Sequence, residues 1–188
     1  FKDEVLALDS LAKKLRKRRF DNGSVAFDRV EVRFEIDDKG HPIKVFFKES
    51  KDANKLVEEF MLLANKQVAT AIGKPGDKKK AKPFVYRIHD NPDPDKLSNF
   101  AEIASRFGYK LKTVGKRSAV NNSLNKMLTS VKGQPEENLL SILAIRSMAK
   151  AVYSTVNVGH YGLAFDYYTH FTSPIRRYPD MMVHRLLD

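Results

Sequence analysis

Apolar residues recur along this chain with two periods, and the switch between them marks out its elements. Val5, Leu8, Leu11 and Leu15 are spaced by three and four, which predicts an amphipathic helix over residues 2–19. Lys13, Lys14, Arg16, Lys17, Arg18 and Arg19 crowd its last turns, where positive charge suits the helix C-terminus. They are either a solvated helix end or a patch for an anionic partner. After a turn at Asp21-Asn22-Gly23-Ser24, strict alternation begins: Val30, Val32, Phe34 and Ile36, then Ile43, Val45 and Phe47. With Asp37-Asp38-Lys39-Gly40 between the runs, this predicts a β-hairpin with one face buried. Phe27 lies out of phase with the first run. It is either a core residue, the default for Phe, or an aromatic aimed into a groove.

Residues 52–72 return to helical spacing. Leu56, Val57, Phe60, Met61, Leu63, Ala64, Val68 and Ile72 cover more than one stripe, which predicts a long, mostly buried helix. Lys55, Glu59 and Lys66 form its expected solvent edge. Glu58 and Asn65 share a helix face and sit among apolar neighbours, so each needs a partner, either backbone or ligand. A basic loop over 73–83 leads to a strand over 84–89. His89 to Asp95 gathers carboxylates and a His, but lacks the central Gly and distal Glu of a calcium loop. Asp93-Pro94 reads better as an N-cap followed by Pro at the first helical position. The helix that follows carries Leu97, Phe100, Ile103 and Ala104 and ends at Gly108. Residues 110–117 are short, basic and extended, and two further helices are expected over 118–132 and 135–151. No internal repeat or low-complexity segment is present.

Composition adds a bias and several exclusions. The 188 residues include 34 Lys+Arg against 23 Asp+Glu, a formal net charge of +11, which points to a polyanion, nucleic acid before a membrane surface. The chain is long enough to bury roughly 70% of its unfolded surface without staples. With no Cys, a disulfide scaffold and a thiolate metal site are excluded, and a reducing compartment, the cytoplasm, is expected. No apolar run approaches the ~20 residues of a membrane span, so no membrane partner is expected. Because the first residue is Phe1, a processed chain or a fragment is expected.

Residues 159–187 interleave aromatic and polar positions. Tyr161, Phe165, Tyr167, Tyr168, Phe171 and Tyr178 supply stacking faces. Arg176 and Arg177 lie just before a helix expected to begin near Tyr178-Pro179. A helix N-terminus presents free N–H groups and partial positive charge, so two guanidinium forks there suit a phosphate. The alternative is an Arg pair tied to Asp180 or Asp166 for structure.

Thr172-Ser173-Pro174-Ile175-Arg176-Arg177-Tyr178-Pro179-Asp180, with Gly162-Leu163-Ala164 ahead and His184-Arg185 behind, resembles the signature of the RNase II/RNase R exoribonucleases. Gly23 to Phe27, Val57 to Asn65 and Tyr86 to Asp90 resemble other segments of that family, nearest to its RNase R branch. The resemblance implies a mixed α/β fold, a sheet flanked by helices around an RNA channel. It implies a domain that degrades single-stranded RNA processively from the 3′ end to nucleoside 5′-monophosphates. In the family an Asp cluster holds Mg²⁺, upstream of the segment matching Phe1–Phe20. Residues 1–188 are therefore expected to be a partial catalytic domain without metal ligands, inactive alone and prone to self-association. The resemblance also implies site roles. Phe27 matches an aromatic against which the terminal base packs, Glu58 a residue near the terminal ribose, and Arg176 the arginine that steadies the scissile phosphate. Thr172, Ser173, Arg177 and Tyr178 are expected to shape that loop or touch phosphate. His160, His170 and His184 are expected to be structural. Two other expectations stay open: a non-catalytic RNA-binding relative, and a basic ribonucleoprotein component.

Overall fold

The computed structural model describes residues 1–26, 31–48, 50–74 and 82–188. Helix α1 (Lys2–Asp21) carries Asp3 and Glu4 in its first turn and Arg18 and Arg19 in its last, matching its dipole at both ends. Gly23 follows at φ +91°, and a Cβ there would lie 2.8 Å from the Ser118 backbone, so the turn needs glycine twice over. Strands β1 (Glu31–Ile36) and β2 (Pro42–Lys48) pair antiparallel, with Val32 opposite Phe47 and Phe34 opposite Val45. Asp37 closes the turn by accepting from the backbone N–H of Lys39 at 2.9 Å and of His41 at 2.8 Å. The predicted hairpin is therefore present, but its buried face is not. Val32, Phe34, Ile36, Ile43, Val45 and Phe47 are 51–67% exposed, because no described element covers them. Phe27 lies outside the described residues.

Helix α2 (Asp52–Gly73) is less buried than its composition suggests. Leu62, Asn65 and Ala69 are buried, whereas Val57 and Met61 face outward. Glu59, expected on the solvent edge, is only 3% exposed. The reason is α1, which packs on α2 and brings the Arg19 side chain against the Glu59 carboxylate. Strand β3 (Tyr86–Ile88) pairs with a strand that periodicity had not predicted, β4 (Val152–Ser154), with Tyr86 opposite Ser154. Helix α3 (Pro94–Arg106) starts as expected. Asp93 accepts from the N–H groups of Asp95 and Lys96 at 3.0 and 3.2 Å, so the acidic segment is a cap.

Helices α4 (Arg117–Val131) and α5 (Glu137–Ser147) complete a trio with α3. Helix α5 is shorter than the expected 135–151 because Met148 turns extended to feed β4. Leu97, Phe100, Ala104, Val120, Leu124, Met127, Val131, Leu140 and Ala144 form the trio's core, joined by Val25 and Tyr161. A single 3₁₀ turn (Tyr161–Leu163) and helix α6 (Tyr178–Leu187) follow. A second core joins Ala69 of α2, Phe84, Tyr86 of β3 and Val183 of α6. The fold is mixed α/β, and the described strands form two separate pairs. No described helix is long and apolar enough to cross a membrane.

Candidate functional site

A groove of about 630 Å³ runs between α2 and the segment that leads into α6. On the α2 side, helical spacing puts Glu58, Met61, Leu62 and Asn65 on its wall. The opposite wall holds Tyr168, His170, Thr172 and Arg177. Asn65 joins the two walls: its Nδ2 donates to the Tyr168 hydroxyl at 3.2 Å, and its Oδ1 accepts from the Phe171 N–H at 2.9 Å. The amide whose partner the sequence left open thus bonds both a side chain and the backbone. Behind the wall, the Arg87 N–H donates to the Tyr168 carbonyl at 2.9 Å and the Thr169 hydroxyl to the Val85 carbonyl at 2.7 Å. The segment is thereby sewn to β3.

The turn from Ser173 to Arg177 is tied at both ends to one carboxylate. Asp180, fully buried in the first turn of α6, accepts from the Ser173 N–H at 2.8 Å and from Arg177 Nη2 at 2.7 Å. Arg177 therefore has the structural tie that the sequence offered as an alternative, while still lining the groove. Its Nε and the Thr172 Oγ1 are buried without a hydrogen-bond partner. Arg176, by contrast, is exposed on the turn, beside Ile175. Tyr178 is 64% exposed and Ser173 half-buried; like Arg176, neither lines the groove.

Of the residues named from sequence, the fold thus brings Glu58, Thr172 and Arg177 together. It sets Arg176, Ser173 and Tyr178 on the adjoining turn and helix start. Sequence reasoning missed His170 as a groove residue and named Tyr168 only among the stacking faces. His170 had been assigned to structure, yet its ring lines the wall, with Nδ1 2.6 Å from the Tyr153 hydroxyl. Burial, helped by the Arg177 charge, pulls its pKa down to about 4, so it is a neutral imidazole near pH 7. His160 behaves as the structural residue expected. Burial first, and then the His89 ring beside it, lower its pKa to about 3. The rings of His160 and Tyr168 meet edge to face at 5.2 Å, and burial raises the Tyr168 phenol. His184 is also structural: it stacks on Phe171 at 4.3 Å and its Nε2 lies 3.0 Å from the Phe171 carbonyl. The one signal for His170 in the sequence was its place in the aromatic–polar interleave.

Glu58 reaches the groove rim, with its side chain about half exposed, and its Oε1 lies 3.3 Å from Arg19 Nη2. No group of three or more His, Cys, Asp or Glu side chains is placed to hold a metal ion among the described residues. The arrangement can receive a hydrogen-bonding, anionic ligand. It offers donors from arginine and threonine, one acceptor carboxylate and aromatic faces.

The RNB domain family model matches residues 1–188. Ribonuclease R of Aquifex aeolicus is 41% identical over 180 residues, which is 96% of this chain and 24% of that protein. Ribonuclease R of Thermotoga maritima is 40% identical over 194 residues, covering 100% of this chain and 26% of that one. Among solved structures, Mycoplasma genitalium RNase R in complex with ribose methylated single-stranded RNA superposes with a TM-score of 0.85 at 28% identity. It covers 98% of this chain and 28% of the other. The chain thus spans about a quarter of the length of these relatives. With a family match over its whole length and such relatives along nearly all of it, the chain belongs to the RNB domain family.

Proposed function

We propose that this chain is the later part of the catalytic domain of a cytoplasmic 3′→5′ exoribonuclease, and that its groove holds the 3′ end of single-stranded RNA. The observation that carries this reading is convergence. Glu58, Thr172 and Arg177, singled out by motif in two segments far apart in sequence, line one groove. A guanidinium, a hydroxyl and a carboxylate on one groove suit phosphate and ribose oxygens.

Each side chain then has a task. Arg176 lies on an exposed turn held rigid by Asp180, so its fixed charge meets the negative charge that builds on the scissile phosphate. Arg177 and Thr172 position the adjoining phosphate. Glu58 accepts a hydrogen bond from the 2′-OH that distinguishes RNA. Phe27 stacks on the terminal base, a contact worth about 1–3 kcal/mol with any base. Ser173 and Tyr178 shape the turn and the helix start behind it. The enzyme's Mg²⁺ would activate the attacking water. Among the described residues no group of three or more His, Cys, Asp or Glu side chains gathers to hold it, and the roles proposed for them are binding, orientation and charge.

In isolation the 188 residues should release no mononucleotides from labelled poly(A) with Mg²⁺, and should self-associate through the open apolar hairpin. The deciding experiment uses the full-length protein. Arg176→Ala should lower kcat about 10²–10³-fold with a small loss of RNA affinity. Unchanged turnover would defeat the assignment of Arg176. A full-length protein that binds RNA without hydrolysing it would make this a non-catalytic relative.

A further inference from the structure

We infer that Arg19, outside the groove, is a positioning residue for ribose recognition: it clamps the Glu58 carboxylate in the orientation that meets a 2′-hydroxyl. The inference rests on the reading of Glu58 as the ribose contact and extends it to the residue behind it.

Glu58 alone is poorly fixed. Its side chain is 46% exposed on a helix surface, where a glutamate has several rotamers to sample. Two guanidinium groups from α1 restrain it, Arg19 Nη2 at 3.3 Å and Arg16 Nη1 at 3.8 Å, both on Oε1. That leaves Oε2 as the acceptor for a ligand hydroxyl. Arg19 can act as an anchor because it cannot move. Its side chain is only 5% exposed. Its Nε contacts Glu59 Oε2 at 3.3 Å, Nη2 bonds Glu59 Oε1, and Nη1 donates to Ser24 Oγ at 2.8 Å. Ser24 in turn donates to the Gly162 carbonyl at 2.9 Å, in the 3₁₀ turn just ahead of the groove segment.

The two carboxylates therefore have different jobs. Glu59 is buried and balances the Arg19 charge; Glu58 reaches the groove and takes the remaining reach of the same planar fork. A guanidinium, with five N–H groups in fixed planar geometry, serves both while holding each in place, whereas an ammonium presents its three donors from one atom on a flexible stem. The cation also offsets a charge problem. A lone carboxylate at the rim would repel the phosphates beside the ribose it reads, and the two arginines reduce that repulsion. A recognition group held by a rigid neighbour discriminates better than a mobile one, because about 1 Å of misplacement can cost about 10²-fold.

The test compares turnover by the full-length protein of an RNA oligomer and of the same oligomer with 2′-deoxynucleotides at its 3′ end. Arg19→Gln alone would leave the buried Glu59 charge with only Arg16, at 3.5 Å, to balance it, so the variant of choice is the neutral pair Arg19→Gln/Glu59→Gln, with Glu59→Gln as its control. Glu59→Gln should lower the melting midpoint and keep the wild-type RNA-to-deoxy ratio of kcat/KM. The pair should lower that ratio by about ten- to a hundredfold, through loss on the RNA substrate. If the pair does not fold, Arg19→Lys decides: it retains the charge but not the fork, and should also lower the ratio. A wild-type ratio in these Arg19 variants, or an equal fall in Glu59→Gln, would overturn the role of Arg19. Glu58→Gln separates the two levels. A wild-type ratio in that variant defeats the ribose reading itself. A collapsed ratio there beside a preserved one in the pair defeats only Arg19.

Discussion

The helical trio α3–α5 and the walls of the groove are built on different physics. The trio is dry. Leu124, Val131, Leu140 and Ala144 are fully buried in one apolar cluster, so its stability comes mainly from burial and close packing, with Asn121 the buried polar group that ties it to Gly23 and Tyr161. The groove walls are knitted by side chains that bond backbone: Asn65 to Phe171 and Thr169 to Val85 over long stretches of sequence, and Asp180 to Ser173 within one turn. Packing tolerates some imprecision in where an atom lies, but hydrogen bonds fix donors and acceptors to fractions of an ångström. The trio can therefore serve as a foundation, while the groove supplies the geometry that a substrate reads.

The largest expected effect tests that division from the trio's side. Leu140→Ala or Leu124→Ala removes a fully buried side chain, and should cost about 2–5 kcal/mol of stability. Urea unfolding measures the loss, and RNA affinity of the still-folded fraction should stay at the wild-type value. A matching loss of affinity would mean that the trio and the groove are one unit.

From the groove's side, Asn65→Ala removes the bonds to Tyr168 and to the Phe171 N–H. The buried partners left behind should cost about 1–3 kcal/mol, less than the leucine changes. RNA affinity should nevertheless fall more, because the wall carrying His170 and Thr172 loses its tie to α2. Stability and affinity therefore rank these two substitutions in opposite orders.

Acid should act on the groove wall through His170 and on the packing behind it through His160. His170 and His160 have pKa values of about 4 and about 3 in the folded state, below the ordinary 6.5, through burial. Between pH 6.5 and about 4 the unfolded chain binds their protons and the folded chain does not, so stability falls as pH falls. Each contributes up to about 1.4 kcal/mol per pH unit in that window. Replacing His160 with Gln should flatten the slope of urea midpoint against pH between 6.5 and 4. An unchanged slope would mean that other groups carry the acid response.

Sequence legibility follows the same division. Helices α3 and α4 could be read from apolar spacing, the Asp93-Pro94 cap and Gly108, because those signals are local. Strand β4 could not, since three residues, Val152 to Ser154, are too few for a period and are extended only through pairing with β3. In the groove, motif recognition picked out Glu58, Thr172 and Arg177. Their convergence depends on Asn65 reaching across the fold to Tyr168 and Phe171, which no local pattern records, whereas the tie of Arg177 to Asp180, three residues on, was one of the alternatives the sequence offered. Glu59 shows the limit most plainly. On its own helix it is a surface glutamate; it is buried because Arg19, on another helix, meets its charge.

The smallest expected effect belongs to the β1–β2 hairpin, which has the apolar pattern of a core element without a cover among the described residues. Burial stabilises a side chain only by the area it removes from water, and Phe34 and Phe47 keep 55% and 67% of theirs exposed. Phe34→Ser with Phe47→Ser should therefore change the stability of the chain by no more than about 0.5 kcal/mol for each site. Leucines of similar hydrophobicity in the trio should cost several times that. The same pair should weaken self-association, measured by sedimentation, because the exposed apolar face is what a second surface would cover. A large stability loss with unchanged association would place a covering layer on the hairpin within the chain itself. The contrast between a covered and an uncovered apolar surface would then no longer hold.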